Sequence, residues 1–361
     1  MLYGVIIAGG AGKRLWPRSR SAKPKYLLRF KKNKSLLQET VERARQIIPL
    51  ENILVITNKE HLRLIRKELP KLPGKNIIGE PVSRNTAPCI CLAAALIKKR
   101  DPSGVIFVMP ADHVIEDKLA MKDVFGFASL IAGIKECLLT VGVRPSYPST
   151  GYGYIKTGKL YKRLLADRKI KVHKVDRFIE KPGFRVAKGF LKSSRYLWNS
   201  GMFIGKAQAF LDEFKRYRPS IYKIVQKIEK GLGTARQQGF IDRYYRKFPN
   251  ISIDYAIMEK TRIAHVITAD IEWQDIGSWK SLADYIKADA KGNIIEGDSL
   301  TVDTKGSIVI GEKGRLIATL GLDNIIVIQD GDATLVCAKD RAEEVKAIVE
   351  LARKKGLKRY L

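Results

Sequence analysis

Residues suited to holding phosphate groups are concentrated in the first 25 positions of the chain. An apolar run over residues 3–8 leads into the glycine-rich stretch 9–12, which is followed by Lys13, Arg14 and, further on, Lys25. Glycines after a first strand let the backbone approach a ligand closely and present N–H groups to phosphate oxygens. Lysine and arginine add positive charge, and arginine can bind a phosphate through two hydrogen bonds. A glycine-rich turn with a solvated basic face explains the same residues equally well.

Two familiar phosphate-binding loops do not match this stretch. A P-loop needs glycine five residues before Gly12, where Ile7 stands. It also needs serine or threonine after its lysine, where Arg14 stands. A dinucleotide-binding fingerprint that starts at Gly10 needs glycine or alanine three residues after Gly12, but that residue is Leu15. The local chemistry is therefore compatible both with phosphate binding and with a solvated turn, and it matches neither familiar loop.

A carboxylate follows a later apolar run. The apolar residues 104–109 predict a buried strand, and Asp112 comes three positions after them. Mg²⁺ is commonly held by one or two carboxylates together with phosphate oxygens and water, so Asp112 is a candidate metal ligand. The structural alternative is a helix N-cap after the Pro-Ala turn that precedes it.

The charge of the chain favours an anionic partner. Its 361 residues contain 67 Lys and Arg against 37 Asp and Glu, which gives a formal net charge of +30. Nucleic acid, a membrane surface and a phosphorylated small molecule are all compatible with this balance. Residues 1–50 hold 12 basic and 2 acidic residues, so a third of the excess falls on the part that contains the glycine-rich stretch.

The cysteines and the hydropathy pattern exclude several classes. Only four cysteines, Cys89, Cys91, Cys137 and Cys337, occur in this long chain, so a disulfide-stapled scaffold is excluded. Cys89 and Cys91 lie in an apolar run, where free cysteine behaves as a small buried hydrophobe. We find neither a signal-peptide pattern nor an apolar run of about 18 residues, and we expect a cytoplasmic protein that does not partner a membrane.

Short apolar runs alternate with helical patterns in the first hundred residues. Strands are predicted over residues 3–8, 52–57 and 104–109, and helices over residues 36–48, 61–69 and 86–99. This alternation predicts an α/β domain with a Rossmann-like, mostly parallel mixed sheet that is flanked by helices. Ligands of such sheets bind at the carboxyl ends of the strands, which directs attention to the loops after Ala8 and Met109.

The pattern changes after about residue 291. Short segments rich in β-branched residues, separated by Gly, Asp and Lys turns, predict a small C-terminal β-helix or β-roll. These segments are residues 299–302, 307–311, 315–319, 324–328 and 333–337, and a helical pattern follows over 342–355. We therefore expect two domains, a catalytic domain over residues 1–285 and a β-helix-like domain over 291–361 that ends in a helix.

The longer motif string resembles that of a known enzyme family. The segment GGAGKRLWP at residues 9–17, followed by 19–20 and 23–25, is similar to the signature of nucleotidyltransferases that activate sugar phosphates, in the form found in mannose-1-phosphate guanylyltransferases. Further segments agree in order up to about residue 282. They are residues 80–88, 110–113, 150–155, 178–182, 198–203, 252–255 and 273–279. One departure is Tyr26-Leu27, where that family has Gln followed by an aromatic residue, and it bears on local packing.

The resemblance implies a fold of the nucleotide-diphospho-sugar transferase type and a reaction. GMP would pass from GTP to mannose 1-phosphate, giving GDP-mannose and pyrophosphate, with Mg²⁺ as cofactor and in-line attack on the α-phosphate. By the same resemblance, Arg14, Lys25, Asp112 and Asp275 are the catalytic residues, and Asp112 and Asp275 the metal ligands. The implied nucleotide-binding residues are Gly9, Gly10, Ala11, Gly12, Lys13, Glu80, Arg84 and Asn85. The implied sugar-phosphate-binding residues are Gly153, Glu180, Lys181, Asn199, Gly201 and Asp254.

Several alternatives stay open at this point. The same class of enzyme with another base or hexose, such as UTP or glucose 1-phosphate, shares these motifs. A nucleic-acid-binding protein would account for the charge, but the sequence shows no known module of that kind and its basic residues are scattered. Taken singly, Glu80 could be a surface salt-bridge partner and Asp275 a turn residue before Gly277. We expect transferase activity without the isomerase domain of longer relatives, no specific nucleic-acid partner, and a homo-oligomer, with a dimer favoured.

Overall fold

The computed structural model describes residues 1–10, 12–30, 33–163, 170–268, 271–283 and 285–361. These residues form two compact units. The first unit comprises Met1–Gly9, Thr40–Ala111 and Ile115–Trp273, and the second comprises Gly10–Glu39, Asp112–Val114 and Gln274–Leu361. Gly10, Gly12 and Asp112 thus belong to the same compact unit as the C-terminal residues, whereas Gly9 belongs to the first unit. The division of the chain at residues 285–291 stays a prediction about sequence domains.

The strands and helices of the described residues are numbered in chain order. The strands are β1 (Leu2–Ala8), β2 (Ile53–Asn58), β3 (Ile77–Glu80), β4 (Val105–Pro110), β5 (His113–Ile115), β6 (Leu138–Val143), β7 (Tyr154–Arg163), β8 (Lys171–Ile179), β9 (Tyr196–Lys206), β10 (Ala264–Thr268), β11 (Trp273–Asp275), β12 (Ile294–Glu296), β13 (Ser299–Val302), β14 (Ile308–Ile310), β15 (Ile317–Leu320), β16 (Ile325–Asp330) and β17 (Ala333–Ala338). The helices are α1 (Leu36–Ala44), α2 (Leu62–Glu68), α3 (Thr86–Arg100), α4 (Lys118–Ile134), α5 (Phe184–Leu191), α6 (Ala207–Tyr217), α7 (Pro219–Glu229), α8 (Gln237–Tyr244), α9 (Trp279–Ala283) and α10 (Val345–Lys354).

The first unit is built on a mixed sheet whose strand order, over the described residues, is β3-β2-β1-β4-β9-β6-β10-β8-β7. Strands β3, β2, β1 and β4 are parallel to one another, and so are β6 and β10. Strand β9 runs antiparallel to β4 and β6, and β8 runs antiparallel to β10 and β7. The predicted mixed sheet flanked by helices is confirmed. Its parallel strands β1, β2 and β4 are the strands that the alternation of strand and helix patterns predicts.

Helix α3 is the most deeply buried helix segment of the first unit. Every residue from 87 to 97 is buried, because the sequence is apolar on all sides of the helix. The helix packs in one core cluster with strands of the sheet and with residues of α6 and α7. Cys89 and Cys91 lie inside this cluster as free thiols, so their predicted role as small buried hydrophobes is confirmed.

The C-terminal part of the second unit is a parallel β-coil. Strands β12, β14 and β16 pair in parallel, β13 pairs in parallel with β15, and β17 adds an antiparallel edge to β16. Successive strands therefore alternate between two sheets, which confirms the predicted β-helix. Four of its isoleucines, Ile308, Ile310, Ile326 and Ile328, are fully buried in its interior, whereas Ile295 is exposed. None of the described helices combines the length and the apolar character needed to cross a membrane.

The segment Gly10–Glu39 shares its core with the β-coil. Leu15, Trp16 and Leu28 belong to the same buried cluster as Trp279 and the β-coil isoleucines. The Trp279 indole donates a hydrogen bond to the carbonyl oxygen of Trp16 at 2.9 Å, and the Trp16 indole donates to the carbonyl oxygen of Tyr360 at 2.7 Å. Both tryptophans are thus packing residues, and they hold the segment Gly10–Glu39 within the second unit.

Candidate active site

Three of the predicted catalytic residues meet at one point of the second unit. Lys25 lies in a short 3₁₀ turn after Pro24, and its side chain is buried. Its Nζ atom is 2.8 Å from Oδ2 of Asp112 and 2.7 Å from Oδ1 of Asp275. The two carboxylates keep about a quarter of their side-chain surface exposed, at 27% and 26%. The cluster is therefore a buried cation with two carboxylates that open to solvent.

Strand pairing brings the two carboxylates together. Asp112 stands immediately before β5, and Asp275 is the last residue of β11. Strands β5 and β11 form a two-stranded sheet, so residues far apart in sequence become neighbours. Asp112 precedes a strand and not a helix, so the N-cap alternative for this residue is wrong. Asp275 does accept a backbone hydrogen bond from Gly277 at 2.7 Å, and its side chain contacts Lys25 as well.

Electrostatics keep this cluster charged. Burial by itself would lower the pKa of Lys25, but the carboxylates of Asp112 and Asp275 outweigh it and raise that pKa. Burial would likewise raise the pKa of Asp275, but the Lys25 ammonium, together with His113 and Arg14, holds it below its ordinary value. Lys25 is therefore protonated and Asp275 ionised at neutral pH.

The donor set of this cluster suits a hard divalent cation. One ligand atom each from Asp112, His113 and Asp275 lie within 4.8 Å of one another. Carboxylate oxygens are the ligands that Mg²⁺ prefers, and the ion usually keeps water or phosphate oxygens as well. Two carboxylates against one ammonium leave a net charge of about −1. The partial exposure of both carboxylates gives a cation and its remaining ligands access to them.

The glycine-rich stretch lies against the same cluster. Gly12 has a left-handed backbone conformation with φ of 60°, and a Cβ there would come within 2.5 Å of the Lys25 Cβ and of the Ser19 Oγ. A Cβ on Gly10 would lie 3.8 Å from Oδ2 of Asp112. Only glycine therefore allows the turn to close over Lys25. Gly9 is the last residue of the N-terminal segment of the first unit, and Ala11 lies outside the described residues.

The two basic residues after the glycines have acidic partners that the sequence interpretation missed. Arg14 forms an ion pair with Glu343, and Lys13 Nζ lies 3.7 Å from Oε1 of Glu350. The one available signal was the seven-residue spacing of Glu343 and Glu350, which places two carboxylates on one face of a helix. These contacts show that the C-terminal part of the second unit touches two of the predicted phosphate-binding residues.

The first unit contains a second cluster, made of the predicted sugar-binding residues. Asn199 lies at its centre: its Oδ1 accepts hydrogen bonds from the Thr140 hydroxyl at 2.9 Å and the Gly201 amide at 3.2 Å. Its Nδ2 donates to Oδ1 of Asp254 at 3.0 Å, and its backbone amide donates to the Gly153 carbonyl at 2.8 Å. Asn199 is therefore held in one orientation by four contacts.

Glu180 borders the same cluster. A Cβ on Gly153 would lie only 2.5 Å from Oε2 of Glu180, and Lys181 Nζ is 3.0 Å from its Oε1. Burial, followed by the charge of Glu180, raises the pKa of Asp254 to about 7. The structure thus brings all six predicted sugar-binding residues into one contiguous network.

Glu80 is buried in the first unit. Its side chain accepts hydrogen bonds from the Tyr245 hydroxyl and the Cys89 thiol, and the residue is 5% exposed. Burial raises its pKa to about 7. A surface salt bridge is therefore wrong for this residue, and its role in nucleotide binding stays a prediction.

The two neighbouring candidates are engaged with backbone groups. Arg84 donates from Nη2 to the carbonyl oxygen of Arg246 at 2.8 Å. Asn85 has a positive φ of 65° and caps helix α3, since its Oδ1 accepts from the Thr86 amide at 2.8 Å. Their predicted roles in nucleotide binding also stay predictions.

The mixed sheet flanked by helices and the parallel β-helix each fall in a part of the chain that matches a family model. Residues 3–292 match the family model described as nucleotidyl transferase, and residues 297–351 match the model of the MannoseP isomerase/GMP-like beta-helix domain. The chain belongs to the nucleotidyl transferase family. The family resemblance inferred from the motif string is confirmed.

Curated and solved relatives agree with this assignment. The chain is 38% identical over 357 residues to a mannose-1-phosphate guanylyltransferase of Escherichia coli, covering 97% of this chain and 75% of that protein. It is 38% identical over 355 residues to the xanthan biosynthesis protein XanB of Xanthomonas campestris, covering 98% and 73%. A Thermus thermophilus crystal structure described as a mannose-1-phosphate geranyltransferase superposes with a TM-score of 0.86 at 30% identity, covering 98% and 99%.

Proposed function

We propose that this protein transfers GMP from GTP to mannose 1-phosphate, giving GDP-mannose and pyrophosphate. A phosphate oxygen of mannose 1-phosphate forms a bond to the α-phosphorus of GTP, and the bond from that phosphorus to the oxygen bridging to the β-phosphate breaks. The attacking phosphate is already ionised, so no proton has to be removed. The observation that carries the proposal is the contact of Lys25 with both Asp112 and Asp275 in a chain of this family.

Charge neutralisation is the main task in this reaction, because two polyanions have to meet. Asp112 and Asp275 would hold Mg²⁺, which when bound supplies positive charge to the phosphate oxygens. Lys25 fixes the position of both carboxylates, since its ammonium contacts each of them. Backbone amides of the glycine-rich stretch and the guanidinium of Arg14 would bind the remaining phosphate oxygens.

The network around Asn199 would bind the sugar phosphate. Hydroxyl groups need acceptors and donors in fixed positions, and Glu180 and Asn199 supply both from a buried network. Lys181 adds an ammonium that would bind the phosphate of the sugar. The names of the curated relatives favour mannose 1-phosphate over other hexose phosphates. The remaining alternative is the same reaction with another base or hexose.

The ion pairs of the basic N-terminal segment argue against nucleic acid as the partner. Lys13, Arg14, Arg18, Arg20 and Lys23 each have a carboxylate partner within the second unit. A nucleic-acid surface needs cations that are available to phosphates along a groove.

We also propose that the protein is cytoplasmic and forms a homo-oligomer, with a dimer favoured. Light scattering of the purified protein tests the oligomeric state.

A substrate panel tests the proposal. Pyrophosphate release is measured with GTP, ATP, UTP, CTP and dTTP against mannose 1-phosphate and glucose 1-phosphate, with MgCl₂ and with EDTA. We expect GTP with mannose 1-phosphate to give the highest kcat/KM, and EDTA to abolish turnover. Higher kcat/KM with UTP and glucose 1-phosphate would favour the alternative. Asp340→Asn, at an exposed carboxylate of the second unit, is the control variant and should turn over normally.

A further inference from the structure

All five basic residues between positions 13 and 23 are paired with carboxylates from the C-terminal part of the second unit. The nitrogen–oxygen distances are 3.7 Å for Lys13–Glu350, 3.5 Å for Arg18–Glu296, 2.6 Å for Arg20–Asp332 and 3.6 Å for Lys23–Asp330, and Arg14 contacts Glu343. Arg20 also donates to the carbonyl oxygens of Pro17 and Asp330. Ion pairs with the β-coil, and with the helical segment over residues 339–354 that follows it, therefore anchor residues 13–23.

The pair of Arg14 and Glu343 is the one that bears on the candidate active site. Glu343 contacts Nη1 of Arg14, while Nη2 lies 3.1 Å from the position that a Cβ on Gly277 would take. The same hypothetical Cβ would lie 3.6 Å from Oδ2 of Asp275. The absence of a side chain at Gly277 thus leaves room for the guanidinium beside Asp275. Glu343 holds one end of the guanidinium, and the other end faces the dicarboxylate cluster.

We propose that Glu343 is a positioning residue that acts through Arg14. The inference rests on the proposed function, because Arg14 is taken to bind a phosphate of the nucleotide. Arginine has a long side chain with several rotatable bonds, so an unheld guanidinium populates many orientations. An arginine with one nitrogen on a carboxylate still has donors left for a phosphate. The helical segment after the β-coil thereby contributes to the active site without contacting substrate.

A competing role for Glu343, in which it keeps Arg14 away from the nucleotide, predicts a change in the opposite direction for binding of the nucleotide. If its carboxylate competed with the nucleotide for Arg14, removing it would lower the KM for nucleotide and leave kcat unchanged or raised. If it positions Arg14, removing it lowers kcat/KM for nucleotide. The pair is largely exposed, with 39% of the Arg14 side chain and 58% of the Glu343 side chain accessible. Such pairs are weak, so we expect a decrease of about 3- to 10-fold and little change in thermal midpoint.

The neighbouring Glu344 provides a matched control. Its carboxylate is exposed to the same 58%, and it pairs with Arg341 at 2.6 Å on the same helical segment. Glu344→Ala removes an exposed charge of the same kind without touching Arg14, so it should leave kcat/KM unchanged.

The experiment is a double-mutant cycle in the full chain. The kcat and KM for GTP and for mannose 1-phosphate are measured for the wild type, Glu343→Ala, Arg14→Lys and the double variant. Lysine keeps the charge of Arg14 and loses the planar group that Glu343 orients. We expect Glu343→Ala to lower kcat/KM for GTP about 3- to 10-fold in the wild-type background and less than 2-fold in the Arg14→Lys background. Glu343→Asp should restore part of the loss.

Two results would overturn the inference. Equal effects of Glu343→Ala in both backgrounds would show that it acts independently of Arg14. A lower KM for GTP in Glu343→Ala would show competition in place of positioning. Failure of the proposed function is distinguishable, because the wild type itself would then not form GDP-mannose from GTP and mannose 1-phosphate.

Discussion

The ammonium of Lys25 lies 2.7 Å from the carboxylate of Asp275, although the two residues are 250 positions apart in the chain. This contact joins the N-terminal signature to the last segment of the motif string. A buried lysine needs such partners, because an unpaired charge in a low-dielectric interior is very costly. The two carboxylates that pair with Lys25 are also the two candidate metal ligands, so stability and chemistry depend on the same three side chains.

Removing Lys25 should weaken both stability and turnover. Lys25→Met leaves Asp112 and Asp275 without their common counter-charge, and we expect the free energy of unfolding to fall by roughly 2–4 kcal/mol. Turnover should fall at least about 100-fold. Because two unopposed carboxylates attract a divalent cation more strongly, MgCl₂ should raise the thermal midpoint of the variant more than that of the wild type.

Thermal unfolding with and without MgCl₂ checks this prediction. Lys23→Met is the control, since Lys23 is half-exposed and pairs only with Asp330 at 3.6 Å in the contacts described above. It should change neither the Mg²⁺ response nor turnover by much. A Lys25→Met protein with the magnesium response of the wild type would contradict a cation site at Asp112 and Asp275.

Asp112→Asn separates metal binding from folding. Asparagine keeps the size of the side chain, and Lys25 retains Asp275 as a charged partner at 2.7 Å. We therefore expect turnover to fall at least about 100-fold while the thermal midpoint shifts by only a few degrees. Steady-state kinetics over a range of MgCl₂ concentrations and a melting curve measure both quantities. Near-normal turnover would remove Asp112 from the mechanism, and a large loss of midpoint would make it a structural residue.

Gly153→Ala should impair use of the sugar phosphate. The added Cβ would lie 2.5 Å from Oε2 of Glu180, so the carboxylate has to move. We expect the KM for mannose 1-phosphate to rise about 10-fold or more with the KM for GTP unchanged. Gly151→Ala is the matched control, because a Cβ there meets nothing closer than the Ser149 hydroxyl at 3.7 Å. Equal effects of the two substitutions would contradict a role of Glu180 in sugar binding.

Glu80 should make stability fall as pH rises. Burial raises its pKa in the folded protein from the ordinary 4.5 to about 7, so between these values the folded state binds more protons than the unfolded state. The free energy of unfolding therefore decreases from about pH 4.5 to 7 and levels off above, by up to about 3 kcal/mol. Glu80→Gln mimics the protonated form and removes this contribution.

Urea unfolding of the wild type and Glu80→Gln at pH 5 and pH 8 measures the difference. The two proteins should be nearly equal at pH 5, and the variant should be the more stable at pH 8. Asp254, whose pKa is also raised to about 7, leaves a slope of the same sign in both proteins. A variant that is less stable than the wild type at pH 8 would show that Glu80 is ionised and needed in that form.

Local patterns in the sequence predicted most elements of the first 109 residues and of the C-terminal part, but assigned none between residues 110 and 298. The buried strand β1 and the apolar helix α3 were identified from their hydrophobic runs, and the structure places their ends within a residue or two of the prediction. Strand β3 was missed, because it has four residues and only two of them are isoleucine. Helix α1 is shorter than predicted, since its last turn gives way to a turn structure after Ala44.

Local patterns in the sequence did not predict which residues far apart in the chain lie together in a site. Nothing in the spacing of Asn199 and Asp254 indicates that they hydrogen-bond, and only the resemblance to a family placed them in one site. The pairing of Arg14 with Glu343, 329 residues apart, was missed entirely. Ion pairs of this range depend on how the β-coil packs against the N-terminal segment, which hydrophobic periodicity does not encode.

Identification of the reaction products by ³¹P NMR is the decisive test of whether this protein transfers GMP to mannose 1-phosphate. The protein is incubated with GTP, mannose 1-phosphate and MgCl₂, and the phosphorus signals are followed with time. Attack on the α-phosphorus predicts equal amounts of a nucleoside diphosphate sugar and pyrophosphate, with no orthophosphate. Orthophosphate and GDP as the first products would show attack of water on the γ-phosphorus and would contradict GMP transfer.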